Sequence, residues 1–125
     1  CSGTATTCMV TMTANQSVTA TFSQVFTDPT LTAQSTLIKA VHFSELRSAI
    51  NTLRAVNSLA AFGWTDPTLT AGTTSAKKVH MDELRQALNE AGGPSPSSYE
   101  TLVVGQTTIK ASHISDLRDA VRALE

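Results

Sequence analysis

The sequence predicts a mainly α, α+β fold: three repeated helix units packed in a small bundle with short extended segments, preceded by a β-hairpin. Three observations predict it. A twelve-residue stretch, Lys39-Ala-Val-His-Phe-Ser-Glu-Leu-Arg-Ser-Ala-Ile50, returns at Lys77–Leu88 and Lys110–Val121 with the skeleton Lys-x-x-His-x-x-(Glu/Asp)-Leu-Arg-x-Ala-(Ile/Leu/Val). Such self-similarity marks repeat architecture. Within each copy the apolar residues fall at helical intervals. Ahead of the repeats, residues 8–22 alternate with period two instead.

The hairpin is expected from Cys8-Met-Val-Thr-Met12 and Ser17-Val-Thr-Ala-Thr-Phe22, two β-branched runs whose apolar residues alternate with threonine,. Thr13-Ala-Asn-Gln16 between them has turn chemistry,. A lone hairpin is marginal in water, so it must lean on the helices, on further strands or on a partner chain. Cys1 and Cys8 are close enough in sequence to close a short disulfide loop in an oxidising compartment, the alternative being two unpaired thiols,. The expected division is residues 1–24 for the hairpin and 25–125 for a three-repeat helical domain, with units at about 26–62, 63–96 and 97–125.

Each repeat extends backwards from its helix. Phe26-Thr-Asp-Pro-Thr-Leu-Thr-Ala-Gln34 matches Trp64-Thr-Asp-Pro-Thr-Leu-Thr-Ala-Gly72, whereas the third copy, Tyr99-Glu-Thr-Leu-Val-Val-Gly105, lacks the Asp-Pro. Degenerate terminal repeats often cap a stack. Asp28-Pro29 and Asp66-Pro67 suggest a short helical turn with Asp as N-cap and Pro in the first position. Gly72 and Gly105 mark a turn into a short extended piece such as Thr36–Ala40. The main helix follows. Its apolar face is Phe43, Leu46, Ile50 and Leu53 in the first copy, Met81, Leu84, Leu88 and Ala91 in the second, and Ile114, Leu117, Val121 and Leu124 in the third,. Ala49, Ala87 and Ala120 favour close helix packing. Gly92-Gly-Pro-Ser-Pro-Ser-Ser98 stops the second helix. Helices of this length are unstable singly, so the three must share one core.

Composition narrows the function classes. Net charge is −1 and pI about 6.3, so no basic footprint argues for nucleic acid. No apolar run reaches the ~18 residues of a membrane span. The chain is charge-poor and about a sixth threonine, well above the globular norm,, a composition common in exported bacterial proteins. Its start at Cys1 reads as a processed product or a piece of something longer.

The repeated polar residues are the candidate site. One histidine per repeat, His42, His80 and His113, could converge on a metal, and these are the metal candidates. The stronger reading is structural: each acid, Glu45, Glu83 or Asp116, follows its histidine by three residues, the offset of a capping box with the histidine as N-cap. Arg47, Arg85 and Arg118 could contact anions. More simply, each pairs with an acid of a neighbouring repeat while its stem covers apolar surface. Lys39, Lys77 and Lys110 read as similar or simply solvated. Phe26 and Trp64 could stack on sugars, but fit better as knobs plugging one repeat into the next. No nucleophile elbow, phosphate loop or Cys–His pair is present,, so no enzyme activity and no cofactor are expected.

Two resemblances bear on function. Residues 1–22, with their Val10-Thr-Met-Thr-Ala-Asn-Gln-Ser-Val-Thr-Ala-Thr-Phe22 segment, resemble the closing part of the bacterial β-repeat related to the internalin B-repeat, whose first half is missing here. Residues 26–125 resemble Thr-Asp-Pro-x-Leu-Thr-x-Gly-x-Thr-x-Ile-Lys-Ala-x-His-x-x-Glu-Leu-Arg units near the ends of large exported proteins of environmental bacteria. These resemblances imply a secreted or surface-attached parent protein. The expected function is a non-catalytic module for attachment or protein–protein contact, with a protein partner or self-association. The alternatives are a filament subunit that uses the open hairpin edge for strand addition, and a carbohydrate- or metal-binding module.

Overall fold

The computed structural model describes residues 24–125, with Ala14 alone ahead of them. Three helices carry the fold: α1 over Ala40–Val56, α2 over Lys78–Glu90 and α3 over Ala111–Arg122. Each begins one residue after the repeated lysine and follows the repeated skeleton. A short 3-10 turn at Pro96–Ser98 lies in the linker between α2 and α3.

The apolar stripes read from the sequence face one another. Leu46, Ile50, Met81, Leu84, Leu88, Ile114, Leu117 and Val121 are fully buried. Each contributes on the order of 1.5–3 kcal/mol by leaving water. Each helix packs against both others, so the core is one cluster fed by three repeats. Ala49 and Ala87 are buried at the helix contacts, while Ala120 is only partly covered.

The helix ends have local causes. At the end of α1, Ser58 adopts φ 60° and the Leu59 N–H returns to the Arg54 carbonyl at 2.8 Å. This places a left-handed residue after the helix and satisfies a terminal carbonyl. After α2 the Gly93 N–H reaches the Leu88 carbonyl at 2.9 Å. A Cβ on Gly93 would stand 2.7 Å from Leu88 Cγ and 2.8 Å from its carbonyl oxygen, so this position requires glycine.

Before each helix the chain makes the same turn. The carbonyls of Thr32, Thr70 and Val103 accept N–H groups three and four residues on. Their own N–H groups donate to Thr36, Thr74 and Thr107 Oγ1. The turn needs a left-handed residue, supplied by Gln34 (φ 63°), Gly72 (φ 74°) and Gly105 (φ 74°).

The helical part of the expected architecture is therefore present, but the α+β class is corrected. Among the described residues no strand forms, and the segments leading into the helices are extended without pairing in a sheet. The hairpin expected at residues 8–22 and the cysteines Cys1 and Cys8 lie outside the described residues. The Asp-Pro turns are not helical either. Asp28 and Asp66 take φ 50°, which excludes them as N-caps, because an N-cap residue has β-region backbone angles.

Candidate functional site

The repeated polar residues assemble three copies of one device that joins a helix to the aromatic-Thr-Asp turn. Its first part is the histidine. Lys39, Lys77 and Lys110 are the N-caps, and His42, His80 and His113 occupy the third helical position rather than the cap. Each Nδ1 accepts the N–H of its N-cap lysine, at 3.1, 3.2 and 3.1 Å. A nitrogen that accepts carries no proton, so the ring proton sits on Nε2. From there it is donated to Asp28 at 3.0 Å, Asp66 at 3.0 Å and Glu100 at 2.8 Å.

The same carboxylates receive the lysines. Lys39, Lys77 and Lys110 Nζ lie 2.7 Å from Asp28, Asp66 and Glu100. Hydrogen bonding by these lysines first, and by the histidines second, holds the Asp28 and Asp66 carboxyls below their ordinary range. Lys110 and then His113 bring Glu100 down to about 2. The lysines are about half exposed, whereas the histidines are buried.

The second part is the acid that follows each histidine by three residues. Glu45 accepts the Thr27 N–H at 2.9 Å and its hydroxyl as well, and Glu83 accepts the Thr65 N–H at 3.0 Å. These acids fix the turn of their own repeat instead of capping the helix. Asp116, one methylene shorter, makes no matching bond among the described residues.

The third part, the arginine, crosses to the next repeat. Arg47 donates to the carbonyls of Thr65 and Asp66, both at 2.9 Å. Arg85 donates to the Glu100 carbonyl at 2.9 Å. Arg118 donates to Thr27 and Asp28, both at 2.8 Å. Repeat 1 thus holds repeat 2, repeat 2 holds repeat 3, and repeat 3 holds repeat 1. The three form a closed ring, so the third repeat is not a terminal cap. Each guanidinium also lies over the aromatic ring of the turn it holds: Arg47 over Trp64 at 5.2 Å, Arg85 over Tyr99 at 5.0 Å and Arg118 over Phe26 at 4.8 Å. Burial lowers the pKa of Arg47 and Arg118 from the ordinary guanidinium value. Planar, weakly hydrated guanidinium suits such half-stacked contacts to main-chain carbonyls, two for Arg47 and Arg118 and one for Arg85, and lysine does not,.

The sequence expectation that each arginine pairs with a neighbouring acid holds only loosely, at Arg118 and Glu45, 3.9 Å apart. Phe26 is buried and Trp64 half-buried, with Phe62 4.7 Å from the Trp64 ring on a further side. The ring nitrogens of all three histidines are engaged, which leaves no lone pair for a cation. Among the described residues no three His, Cys, Asp or Glu side chains come together in a metal-binding group.

Four participants escaped the sequence reading: Asp28, Asp66 and Glu100 as histidine partners, and Tyr99 as the third aromatic. A signal did exist. The partner acid precedes its histidine by 14, 14 and 13 residues in the three repeats.

No family model, curated protein or solved structure matches this chain.

Proposed function

We propose that the chain is a non-catalytic module of a secreted or surface-attached bacterial protein, serving attachment or protein–protein contact. One observation carries this reading. The repeated polar side chains are used to hold the repeats together, while large aliphatic side chains stand in solvent: Leu37 is 80% and Val104 78% exposed, and Val103, Val79 and Val41 are partly exposed at 45%, 37% and 36%. Polar groups committed to internal hydrogen bonds are poor candidates for chemistry. Exposed aliphatic clusters are typical of contact surfaces. Among the described residues no helix is long and apolar enough to cross a membrane.

Carbohydrate recognition draws less support, because Phe26 is covered by Arg118 and Arg122 and Trp64 by Arg47. The test is binding of the purified chain to panels of extracellular proteins and of glycans by surface plasmon resonance. Saturable binding to a protein, with no glycan response, is the expected result. Saturable binding to glycans alone would replace this reading.

A further inference from the structure

We infer that repeat 3, residues 97–125, exchanges between two copies of the chain, each copy seating the other's α3 against its own α1 and α2. This rests on the proposed contact function and names one partner for it, a second copy.

Repeat 3 is held in the ring by non-covalent contacts to distant parts of the chain. Arg118 donates to the Asp28 and Thr27 carbonyls, 90 and 91 residues away in sequence. Arg85 donates to the Glu100 carbonyl, and Glu125 accepts the Gln24 N–H at 2.8 Å. Ile114, Leu117 and Val121 fill the shared core. None of these contacts depends on which chain carries repeat 3. An open repeat 3 bares its apolar stripe and leaves a matching gap, and an identical copy offers the same stripe to the same gap.

The ring is least secured where repeat 3 joins repeat 2. Arg47 and Arg118 each hold two carbonyls of the next turn, whereas Arg85 holds one. The third turn is a residue shorter, Glu100 preceding His113 by 13 residues against 14 in the other two repeats. Among the described residues Asp116 has no counterpart of the Glu45 and Glu83 bonds to the turn, and the buried Tyr99 hydroxyl has no partner. Repeat 3 therefore leaves the ring with fewer bonds broken than repeat 1 would.

The linker supplies the hinge. After α2 the chain reverses through Gly92 at φ 101° and then Gly93, which lies against Leu88 where no Cβ fits. Pro94–Ser98 follow, all exposed. The two prolines have no N–H to bond the closed path and press the residues before them toward extended backbone. The closed turn requires glycine, and a straightened linker does not.

The test is refolding of the full chain from guanidinium chloride at graded protein concentrations under reducing conditions, read by light scattering after size exclusion. The dimer fraction is expected to rise with concentration during refolding. Gly92→Ala burdens the tight turn and not the straightened linker, so it should raise the dimer-to-monomer ratio at least about fivefold. Removal of Pro94, Ser95 and Pro96 shortens the path back and should make the dimer the main species, a second readout if Gly92→Ala impairs folding. Differently labelled dimers should trade subunits only after unfolding. Monomer alone from both variants at every concentration overturns the exchange and leaves the contact function to the protein panel. A dimer whose subunits trade freely on mixing is surface pairing, which overturns the exchange and keeps the contact function.

Discussion

Arg118, near the end of α3, donates to the Asp28 carbonyl from 90 residues further along the chain, at 2.8 Å. With its second bond to Thr27 it closes the ring of repeats. Arg118→Met keeps the apolar stem and removes both donors, leaving two carbonyls short of partners. It should cost about 3 kcal/mol in urea denaturation. Arg118→Lys should recover less than half of that, since an ammonium cannot span two carbonyls and cover a ring. Full rescue by lysine would show that only charge matters there.

His80→Ala tests the histidine device. Loss of a helix cap alone costs about 1 kcal/mol. Here the substitution also strips Asp66 of a donor and empties a buried site, so the expected loss is about 2–3 kcal/mol. Thermal denaturation with His80→Ala beside a Thr70→Ala control would separate this from general weakening of repeat 2. A cost no greater than a simple cap would detach the histidine from the Asp66 turn.

Stability should fall in acid with a defined sign. Asp28, Asp66 and Glu100 are held below their ordinary carboxyl values in the folded chain. Carboxyls depressed in this way stabilise fully above the unfolded value and lose that contribution as pH drops through the folded one. The denaturation midpoint should therefore decline below about pH 4.5, with the Glu100 contribution lasting until about 2,. Glu100→Gln should flatten the lowest part of that decline. An unchanged profile would remove Glu100 from the acid response.

Gln34 occupies a left-handed position that its counterparts fill with Gly72 and Gly105. Gln34→Gly should stabilise the chain by roughly 0.5–1 kcal/mol, the relief of Cβ crowding exceeding the added chain entropy. Gly72→Ala should do the reverse. Both are read by the urea midpoint, and a loss on Gln34→Gly would mean that its side chain makes a contact of its own.

The Tyr99 hydroxyl is buried without a hydrogen-bond partner among the described residues, and burial raises its pKa. Tyr99→Phe removes the unpaired group and should leave stability unchanged or raise it by up to about 1 kcal/mol. Destabilisation beyond that, in the same denaturation assay, would show that the hydroxyl is satisfied in solution.

The helices and their buried stripes were legible because period and repeat reinforce each other: Leu46, Leu84 and Leu117 stand at one place in three copies and are all buried. The polar device was half legible. His42, Glu45 and Arg47 announced themselves by recurrence, but their partners did not follow from it. Arg47 binds main-chain carbonyls, which every residue possesses and no sequence marks. The offset of three from His42 to Glu45 matched a capping box, yet the histidine itself reaches back to the N-cap N–H. Asp28-Pro29 matched a helix start, and only the left-handed backbone of Asp28 shows otherwise. Closure was illegible, because an open row and a ring of three repeats have the same local pattern.

Because each repeat holds the next and the third holds the first, the number of units is fixed by geometry. An open solenoid lengthens by duplication of a unit, since its last face accepts another copy. Here the place a fourth unit would occupy is already taken by the Thr27–Asp28 turn on Arg118. Duplication of a repeat would force the ring to break or widen, so a new unit disturbs every contact between repeats, where an open row would change only its end.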